Sequence, residues 1–391
     1  MNLAEPDLIL AATTGILGLI RLSRGIVFSS IAAINHKDGN VHYEGTLPSV
    51  SIVITAHDQA EELSRNLPMI FSQDYPGEVE IIVVNDASTD DTEDVLKRMK
   101  DEHSNFYYTF TPKSARYVSH KKLAITLGVK AAHHDWIILT DPNCHPMTDQ
   151  WLRSLTRVCN ENTEIVVGPS LYEQEEGTHN LNRINFYRIL AQMKQYARSR
   201  RGALAYRSSS VNMMFRKELF IKNKGFSKNL NLKRGEDTLF VNETATNDNT
   251  LLATSQDAVV AQEMPIVQKI WNTDRLFYIE TQRHLTMCAR LADKYYQVFY
   301  DTVLIAFIAL LIAGIAICAI NKDWIVLPTF PVITAIVWGV NGLLFDKSAK
   351  YLGCTTRYSY LLPFYELEYI IDELKFGIRY LFRSKTEYYR S

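Results

Sequence analysis

The chain has 391 residues and a formal net charge of −1, with 47% hydrophobic and 22% charged residues. This length is sufficient for one large core with accessory segments. Because the charges balance, the composition offers no basic surface for nucleic acid, and no nucleic-acid partner is expected. Apolar residues are concentrated towards the two ends of the chain, which is the first indication of a membrane protein.

The N-terminal segment, residues 1–47, contains an apolar stretch of intermediate length. Residues 8–20 are uncharged, and Arg21 and Arg24 interrupt the stretch before it continues to residue 34. The segment is predicted either to cross a membrane with the arginines near one interface, or to lie in the interface plane. A cleaved signal peptide is not expected, because residues 1–7 contain acidic but no basic side chains.

Residues 48–290 have the alternating pattern of an α/β domain. The largely apolar runs 50–55, 79–84 and 136–139 are predicted to be buried strands. Amphipathic helices are predicted after the first run, from Asp90 onwards, and over residues 121–133. Strands that alternate with helices in this way indicate a mostly parallel sheet covered by helices.

Short polar side chains follow each of the three predicted strands, in residues 55–58, 85–88 and 140–143. In a parallel sheet these positions are the carboxyl ends of the strands, where ligands bind. Turn formation alone also favours Asp and Asn at such places. Three polar strand ends in one sheet nevertheless favour a shared site.

Two of these strand ends carry carboxylates suited to a nucleotide and to a cation. Asp86 is expected to accept hydrogen bonds from a base or ribose, whereas Ser88 or Thr89 is expected to cap the following helix. Asp141 and Asn143 present two oxygen-bearing side chains across a turn. That spacing suits a hard divalent cation, which in turn holds phosphate oxygens.

A paired acid, Glu236 and Asp237, follows later in the chain. Its position before residues 238–241 is also typical of a helix N-terminus, where carboxylates are favourable. As chemistry, one carboxylate is suited to take a proton from an attacking hydroxyl. A dinucleotide-dependent oxidoreductase is not favoured, because the turn after Thr55 contains no glycine.

Two uncharged runs, residues 302–320 and 324–345, follow the α/β domain. A bilayer crossing needs about 20 apolar residues in a helix, so the runs predict a transmembrane hairpin over residues 300–345. A buried helical hairpin of a soluble domain is the alternative. Basic residues flank both outer ends, whereas the connecting loop has Lys322 alone. This asymmetry predicts that the outer ends and the α/β domain face the cytoplasm.

The tail, residues 346–391, is aromatic and basic, and its apolar residues recur at helical spacing from Leu367 to Leu381. An amphipathic helix on the membrane surface is predicted, and packing of that helix against the α/β domain is the alternative. The five cysteines have no paired spacing. They indicate a reducing compartment rather than a disulfide or zinc framework.

Together, these motifs resemble family-2 glycosyltransferases over residues 48–290. The family's Asp-Asp-x-Ser-x-Asp motif is represented by residues 85–90, its lysine-led helix by Lys121, its Asp-x-Asp loop by residues 141–143, and its Glu-Asp pair by residues 236–237. The C-terminal hairpin is similar to that of bacterial members. The resemblance implies an α/β fold class: a GT-A catalytic domain with a Rossmann-like sheet, a C-terminal transmembrane hairpin and an amphipathic tail.

The resemblance also implies an inverting transfer of a sugar from a nucleotide-sugar donor, expected to be a UDP-sugar, to a lipid-linked or cell-envelope glycan acceptor. The enzyme would lie at the bacterial cytoplasmic (inner) membrane with its catalytic domain in the cytoplasm. Mg²⁺ or Mn²⁺ is the implied cofactor, and the neutral Asn143 is expected to weaken its binding. Residues 282–286 do not match the Gln-x-x-Arg-Trp motif of processive members, so polymer synthesis is not expected.

The resemblance assigns each candidate residue a role. The expected roles are general base for Asp237, with Glu236 beside it; nucleotide-sugar binding for Thr55, His57, Asp86, Ser88, Lys121 and Asp141; metal binding for Asp141 and Asn143; and acceptor or flap contacts for Asn212, Gln282, Arg283 and His284. The alternative function is a catalytically weak or inactive membrane-bound nucleotide-sugar-binding or scaffold protein. Its main support is Asn143, which stands where the family has a second carboxylate.

Overall fold

The computed structural model describes residues 6–33, 47–112, 119–173, 179–199, 207–264, 268–384 and 388. The described strands are β1 (Val50–Ala56), β2 (Val79–Asn85), β3 (Phe106–Phe110), β4 (Trp136–Thr140), β5 (Cys144–Pro146), β6 (Ile165–Val167), β7 (Ser170–Glu173), β8 (Met213–Arg216), β9 (Thr250–Leu252) and β10 (Val260–Glu263). The described α-helices are α1 (Pro6–Ser23), α2 (Gly25–Phe28), α3 (Ala60–Phe71), α4 (Thr92–Glu102), α5 (His120–Ala131), α6 (Trp151–Thr156), α7 (His179–Ser199), α8 (Lys217–Lys222), α9 (Glu236–Thr244), α10 (Gln268–Arg283), α11 (Met287–Asn321), α12 (Thr329–Tyr351) and α13 (Leu362–Phe382).

A seven-stranded sheet with the order β3-β2-β1-β4-β8-β6-β9 forms the centre of the α/β domain. Its strands run parallel except β8, which is antiparallel to both neighbours. The predicted mostly parallel sheet is therefore confirmed. The edge strand β3 was not predicted, because it is aromatic and half-exposed and lacks the apolar run of a central strand.

The register of the parallel strands aligns the carboxyl ends of β1, β2 and β4. Ala56 lies opposite Asn85, and Ile54 lies opposite Thr140. The polar segments that follow these strands therefore emerge at one edge of the sheet. A small second sheet, β5-β10-β7, borders the same edge and places Gln262 opposite Cys144.

Helices cover both faces of the central sheet. On one face, α3, α4 and α6 bury Leu67, Leu96 and Trp151. On the other face, α5 lies so close to the sheet that a Cβ at Gly128 would be 2.4 Å from Val53. Glycine permits this close approach, and the approach fixes the N-terminus of α5 beside the strand ends.

Three helical segments are long and apolar enough to cross a membrane: Pro6–Phe28, Met287–Asn321 and Thr329–Tyr351. The N-terminal segment packs against both α11 and α12. The C-terminal pair was predicted, but its bounds differ. Helix α11 already begins at Met287, and α12 begins at Thr329, after the turns of residues 322–327 and directly after Pro328.

Helix α13 combines the two alternatives that the sequence left open for the tail. Phe376 and Tyr380 are buried in a cluster with residues of α7, α10 and α12. Its opposite side remains exposed and carries an apolar stripe. The members of this stripe are Phe364, Ile371, Leu374, Ile378 and Leu381, which are 56–71% exposed. Helix α13 therefore packs on the α/β domain and still presents an apolar surface outward.

A buried ionic cluster connects the N-terminal helices to α13. Arg21 and Arg24 are 0% and 1% exposed, and both guanidinium groups contact the carboxylate of Glu366, which is 2% exposed. The distance from Arg24 Nη1 to Glu366 Oε1 is 2.9 Å. Asn341 of α12 donates its Nδ2 to the carbonyl oxygen of Arg21 at 3.1 Å. One carboxylate therefore joins elements from opposite ends of the chain.

Replacing Glu366 by glutamine should destabilise the protein by about 3–5 kcal/mol, because two buried guanidinium groups would lose their counter-charge. The measurement is reversible unfolding in detergent micelles. The control is Glu93→Gln on α4, which breaks an exposed ion pair of 2.9 Å with Lys97 and should cost no more than about 0.5 kcal/mol. Equal losses in both variants would contradict the importance of the buried cluster.

Candidate functional site

Two adjoining cavities open where β1, β2 and β4 end. The smaller cavity has a volume of about 260 Å³. The larger cavity has a volume of about 710 Å³ and extends towards α7, α9 and α10. Lys121, Asp141 and Gln262 line both cavities. Groups bound in the two cavities would therefore meet at these three side chains.

The smaller cavity is lined by six of the predicted donor and metal residues. They are Thr55, His57, Asp86, Lys121, Asp141 and Asn143. Asp86 is held from two sides: Thr111 donates its hydroxyl to Asp86 Oδ1 at 2.6 Å, and His120 Nδ1 lies 3.2 Å from the same oxygen. His57 Nδ1 lies 2.6 Å from the Asp86 carbonyl oxygen. The carboxylate that follows β2 therefore has a fixed position beside the cavity.

Ser88 stabilises the loop next to this cavity and is not among its lining residues. Its hydroxyl accepts a hydrogen bond from the Asp58 N–H at 3.0 Å, and its own N–H donates to Asn85 Oδ1 at 2.9 Å. The expected capping of α4 by Ser88 or Thr89 is wrong. Asp90 Oδ1 instead accepts from the Thr92 N–H at 3.1 Å, because its position two residues earlier suits an Asx-type turn.

Lys121 of α5 lies at the junction of the two cavities. Its Nζ is 2.8 Å from Asp141 Oδ1 and 2.9 Å from Asp141 Oδ2, so it contacts both carboxylate oxygens. It also donates to Ser210 Oγ at 3.1 Å and lies 3.8 Å from Glu236 Oε1. Burial lowers the pKa of Lys121, but attraction to Asp141 and Glu236 outweighs this effect, so the net pKa is raised. The group remains an ammonium ion.

Asp237 lies in the first turn of α9 and lines the larger cavity. Its Oδ2 accepts the Ser210 N–H at 2.8 Å, and its Oδ1 accepts the Thr238 N–H at 2.6 Å. Burial raises the pKa of Asp237 to about 6, and the negative charge of Glu236 adds to this rise. Its carboxylate is therefore both fixed in orientation and more basic than an ordinary aspartate.

Glu236 is buried, with 6% of its surface exposed, and its Oε2 has no hydrogen-bond partner among the described residues. Gly235 immediately precedes it with a φ of +93°, a conformation that favours glycine. A Cβ there would also lie 2.9 Å from Thr281. Glycine thus permits the turn that directs both acids towards the cavity.

Lys122 has a different role from its neighbour Lys121. It is 1% exposed, and its Nζ donates to the carbonyl oxygens of Asn229 and Leu232, both at 2.7 Å. Burial lowers the pKa of Lys122 to about 8. These carbonyls belong to the segment that leads to Gly235. Lys122 therefore anchors the loop that carries the acidic pair.

Asp141 and Asn143 are chemically suited to a divalent cation. Both line the smaller cavity, and carboxylate and carboxamide oxygens are ligands that Mg²⁺ and Mn²⁺ accept. No group of three or more His, Cys, Asp or Glu side chains suited to a metal occurs within the part of the chain that the structure describes. The two residues therefore fit a cation whose remaining ligands are water or phosphate oxygens.

Asn212, expected to contact the acceptor, instead joins three segments of the core. It is 0% exposed. Its Oδ1 accepts the Trp151 indole N–H at 3.0 Å, and its Nδ2 donates to the carbonyl oxygens of Pro169 and Ala258 at 2.7 and 2.8 Å. A side chain whose hydrogen-bonding groups are all used inside the core does not line either cavity.

The three predicted flap residues lie at and just beyond the end of α10, and none is among the lining residues of either cavity. Gln282 accepts from Arg207 Nη2 at 3.4 Å, and the Arg283 guanidinium lies 5.6 Å from the ring centre of Tyr380. His284 Nε2 lies 3.1 Å from Glu280 Oε1. None of the three therefore lines a cavity, although Gln282 contacts the cavity residue Arg207, and their acceptor or flap role stays a prediction.

Most of the lining of the larger cavity could not be predicted from the sequence. Its cationic and aromatic lining includes Arg188 of α7, Trp271 and Tyr278 of α10, and Tyr369 of α13. The Arg188 guanidinium lies 3.5 Å from the ring centre of Tyr172 and donates to Gln262 Oε1 at 2.7 Å. These residues follow no short motif, so the sequence carried no signal for them beyond their helical surroundings.

The seven-stranded sheet with helices on both faces and polar residues at the carboxyl ends of its strands has the architecture of the GT-A class of α/β proteins. Residues 51–223 match the family model described as Glycosyl transferase family 2. The predicted resemblance to this family is thereby confirmed. A mannosyltransferase of Pyrobaculum calidifontis, PcManGT, solved in complex with GDP-Man and Mn²⁺, has a similar structure. The TM-score is 0.50 at 15% identity, with 87% of this chain and 98% of that chain covered.

Two curated relatives match shorter segments. Glycosyltransferase AglE of Haloferax volcanii is 23% identical over 176 residues, which cover 44% of this chain and 54% of AglE. A dolichyl N-acetyl-alpha-D-glucosaminyl phosphate 3-beta-D-2,3-diacetamido-2,3-dideoxy-beta-D-glucuronosyltransferase of Methanococcus voltae is 31% identical over 105 residues, covering 26% and 30%. The chain therefore aligns with 54% and 30% of the lengths of these relatives.

The packing role of Asn212 can be separated from any role in binding. Asn212→Ala should destabilise the protein by about 1–3 kcal/mol, because the buried N–H of Trp151 and two carbonyl groups would lose their partner. Affinity for a nucleoside diphosphate should stay within about twofold of the wild type in the folded fraction, a change of under 1 kcal/mol. Stability is measured by unfolding in detergent micelles, and affinity for the nucleoside diphosphate by calorimetric titration. Lost affinity at unchanged stability would restore Asn212 to the binding site.

Proposed function

We propose that the protein is an inverting glycosyltransferase that moves a hexose-type sugar from a nucleotide-sugar donor to a lipid-linked or cell-envelope acceptor. The observation that carries this proposal is the arrangement of three carboxylates. Asp86, Asp141 and Asp237, which are far apart in sequence, line two cavities that share Lys121 and Asp141. A donor and an acceptor held in these cavities would meet at their junction.

The donor nucleoside is proposed to occupy the smaller cavity. Asp86, whose carboxylate is fixed by Thr111, would accept hydrogen bonds from the nucleoside, while Thr55 and His57 line the same space. The diphosphate would then lie towards Lys121, whose positive charge suits it. We propose a UDP-sugar as the donor. GDP-sugars belong in the same test, because PcManGT was solved with GDP-Man.

In the proposed reaction, an acceptor hydroxyl attacks the anomeric carbon from the side opposite the nucleoside diphosphate. A carbon–oxygen bond to the acceptor forms as the bond to the phosphate oxygen breaks, and the configuration inverts. Asp237 takes the hydroxyl proton. The N–H groups of Ser210 and Thr238 orient its carboxylate. The alignment of the two substrates supplies much of the rate enhancement.

Asp141 and Asn143 would hold Mg²⁺ or Mn²⁺ in this mechanism. When bound, such a cation stabilises the negative charge that develops on the departing diphosphate. The mannosyltransferase PcManGT was solved with Mn²⁺, which supports the proposal. The neutral Asn143 favours weaker cation binding than a pair of carboxylates would give.

The acceptor is proposed to enter the larger cavity from the membrane side. Tyr369 of α13 lines this cavity, and the exposed apolar stripe of the same helix is suited to the membrane interface. Lys375 and Arg379 flank the stripe and suit anionic lipid head groups. The name of the Methanococcus voltae relative describes a dolichyl-linked glucosaminyl phosphate. These features together support a lipid-linked acceptor.

We place the α/β domain on the cytoplasmic side of a cytoplasmic membrane. Arg283, Arg290 and Lys294 precede or begin the first C-terminal span, and Lys347 and Lys350 end the second. The positive-inside rule therefore favours the cytoplasm for both outer ends. The unpaired cysteines agree with a reducing compartment.

The donor and the activity can be tested in one screen. The purified full chain is incubated in detergent with UDP- and GDP-sugars, a lipid-phosphate acceptor and Mn²⁺, and release of nucleoside diphosphate is followed. Acceptor-dependent release is the expected result. A donor that binds without any release would favour the alternative function, a nucleotide-sugar-binding scaffold.

Asp237→Asn should lower turnover about 10²–10⁴-fold, because the general base is lost, while donor affinity is retained. Turnover and donor binding are measured on the same preparation. The control is Asp248→Asn, which makes the same change at an exposed position near the end of α9. If Asp237→Asn retained near-wild-type turnover, the base assignment would be wrong.

The pH profile should show an acid limb near pH 6, because the pKa of Asp237 is raised to about 6. Below this pH, Asp237 becomes protonated and cannot take the acceptor proton. Glu236→Gln should move the limb to lower pH, since it removes a negative charge that raises this pKa. The measurement is turnover against pH for both forms. A limb that stays at the same pH in Glu236→Gln would contradict the assignment.

A further inference from the structure

The carboxylate of Asp141 is the single charged group in the loop of residues 141–143. It already forms an ion pair with a cation of the protein itself. Lys121 Nζ lies 2.8 and 2.9 Å from its two oxygens. A divalent cation would bind the same oxygens at about 2.0–2.6 Å. An ammonium and a divalent cation cannot both take these positions, because their charges repel at such short separation.

A second position for the ammonium lies within reach of the same side chain. Glu236 Oε1 is 3.8 Å from Lys121 Nζ, and Glu236 Oε2 is buried without a hydrogen-bond partner in the described structure. Ser210 Oγ, 3.1 Å from Nζ, lies along with these acids in the larger cavity. A small movement away from Asp141 would therefore give Lys121 an anionic partner that now lacks one of its hydrogen bonds.

We infer that Lys121 is an internal counter-cation that keeps Asp141 closed to divalent cations until a nucleoside diphosphate arrives. The diphosphate then offers anionic oxygens both to the incoming cation and to the displaced ammonium. Cation and nucleotide consequently bind together, each increasing the affinity for the other. This inference rests on the proposed function, because that proposal supplies the diphosphate.

Because Asn143 is neutral, Lys121 alone determines how strongly the loop of residues 141–143 attracts a divalent cation. With a second carboxylate in the loop, a cation would keep one charged ligand even while Lys121 held Asp141. With the neutral Asn143, the ammonium neutralises the whole charge of the loop. Without nucleotide, the site therefore attracts a divalent cation only weakly. Removing the lysine charge should increase this electrostatic attraction.

The test measures Mn²⁺ binding to the full chain in detergent without nucleotide, using the electron paramagnetic resonance signal of free Mn²⁺. Lys121→Met should bind Mn²⁺ at least about tenfold more tightly than the wild type, because an unpaired carboxylate becomes available. Lys121→Gln should do the same and guards against misfolding of the first variant. Adding Asp141→Asn to Lys121→Met should remove the gain.

Lys130→Met is the matched control, because it removes the same charge from an exposed position on α5, and it should leave Mn²⁺ binding unchanged.

A second arm adds the nucleoside diphosphate that the donor screen identifies. It should tighten Mn²⁺ binding strongly in the wild type and less in Lys121→Met. Tight Mn²⁺ binding by the nucleotide-free wild type, or no gain in either Lys121 variant, would overturn the inference.

Failure of this inference is distinguishable from failure of the proposed function. The first arm needs neither turnover nor a donor, so it decides the role of Lys121 alone. Sugar transfer by the wild type with no lysine effect on Mn²⁺ would overturn the inference and leave the function intact. If the Lys121 variants bound Mn²⁺ more tightly but the wild type transferred no sugar, the proposed function would be overturned and the role of Lys121 would stand.

Discussion

The ion pair between Lys121 and Asp141 allows several carboxylates to share one cleft. Asp141, Glu236 and Asp237 all line the larger cavity, and their mutual repulsion in a partly dehydrated space would otherwise favour protonation or separation of the groups. The ammonium contacts both oxygens of Asp141 and lies 3.8 Å from Glu236. Asp237 is stabilised differently, by two backbone N–H groups. Of the three acids, Asp141 is paired with Lys121, Glu236 lies near the same ammonium, and Asp237 keeps a raised pKa.

The geometry of this cleft depends on polar groups buried outside it. Lys122 binds two carbonyl groups of the loop that precedes the acidic pair. Asn212, directly before β8, binds the carbonyl oxygens of Pro169 and Ala258. Buried polar groups without partners are costly, so these contacts hold their segments to a single arrangement. Residues that do not line the cavity therefore help to position the segments that do.

The membrane helices and the α/β domain form a continuous structure through α13. Glu366 at its beginning binds two arginines of the N-terminal segment, Tyr380 near its end contacts Glu280 of α10, and Tyr369 lines the larger cavity. The helix that presents an apolar surface outward is therefore also part of the cavity wall. In the proposed membrane-bound enzyme, this arrangement would link the position of the bilayer to the position of the site.

The sequence by itself determined the elements whose causes are local. Apolar runs specified β1, β2 and β4, polar residues marked their carboxyl ends, and uncharged runs specified the C-terminal membrane helices. Parallel pairing then brings those strand ends together, so the cluster of Asp86 and Asp141 followed from periodicity and topology. The edge strand β3 escaped prediction because its half-exposed aromatic pattern differs little from that of a loop.

Tertiary structure alone decided what each polar side chain faces. Asn212 was expected to contact the acceptor, yet its amide group makes all its hydrogen bonds within the core. Arg188 and Tyr278 carried no motif, yet α7 and α10 direct them into the larger cavity. Lys121 and Lys122 are adjacent and chemically identical, but helical rotation sends one to the cavity and the other to a buried loop. Such outcomes depend on packing between segments distant in sequence, which local pattern and composition do not encode.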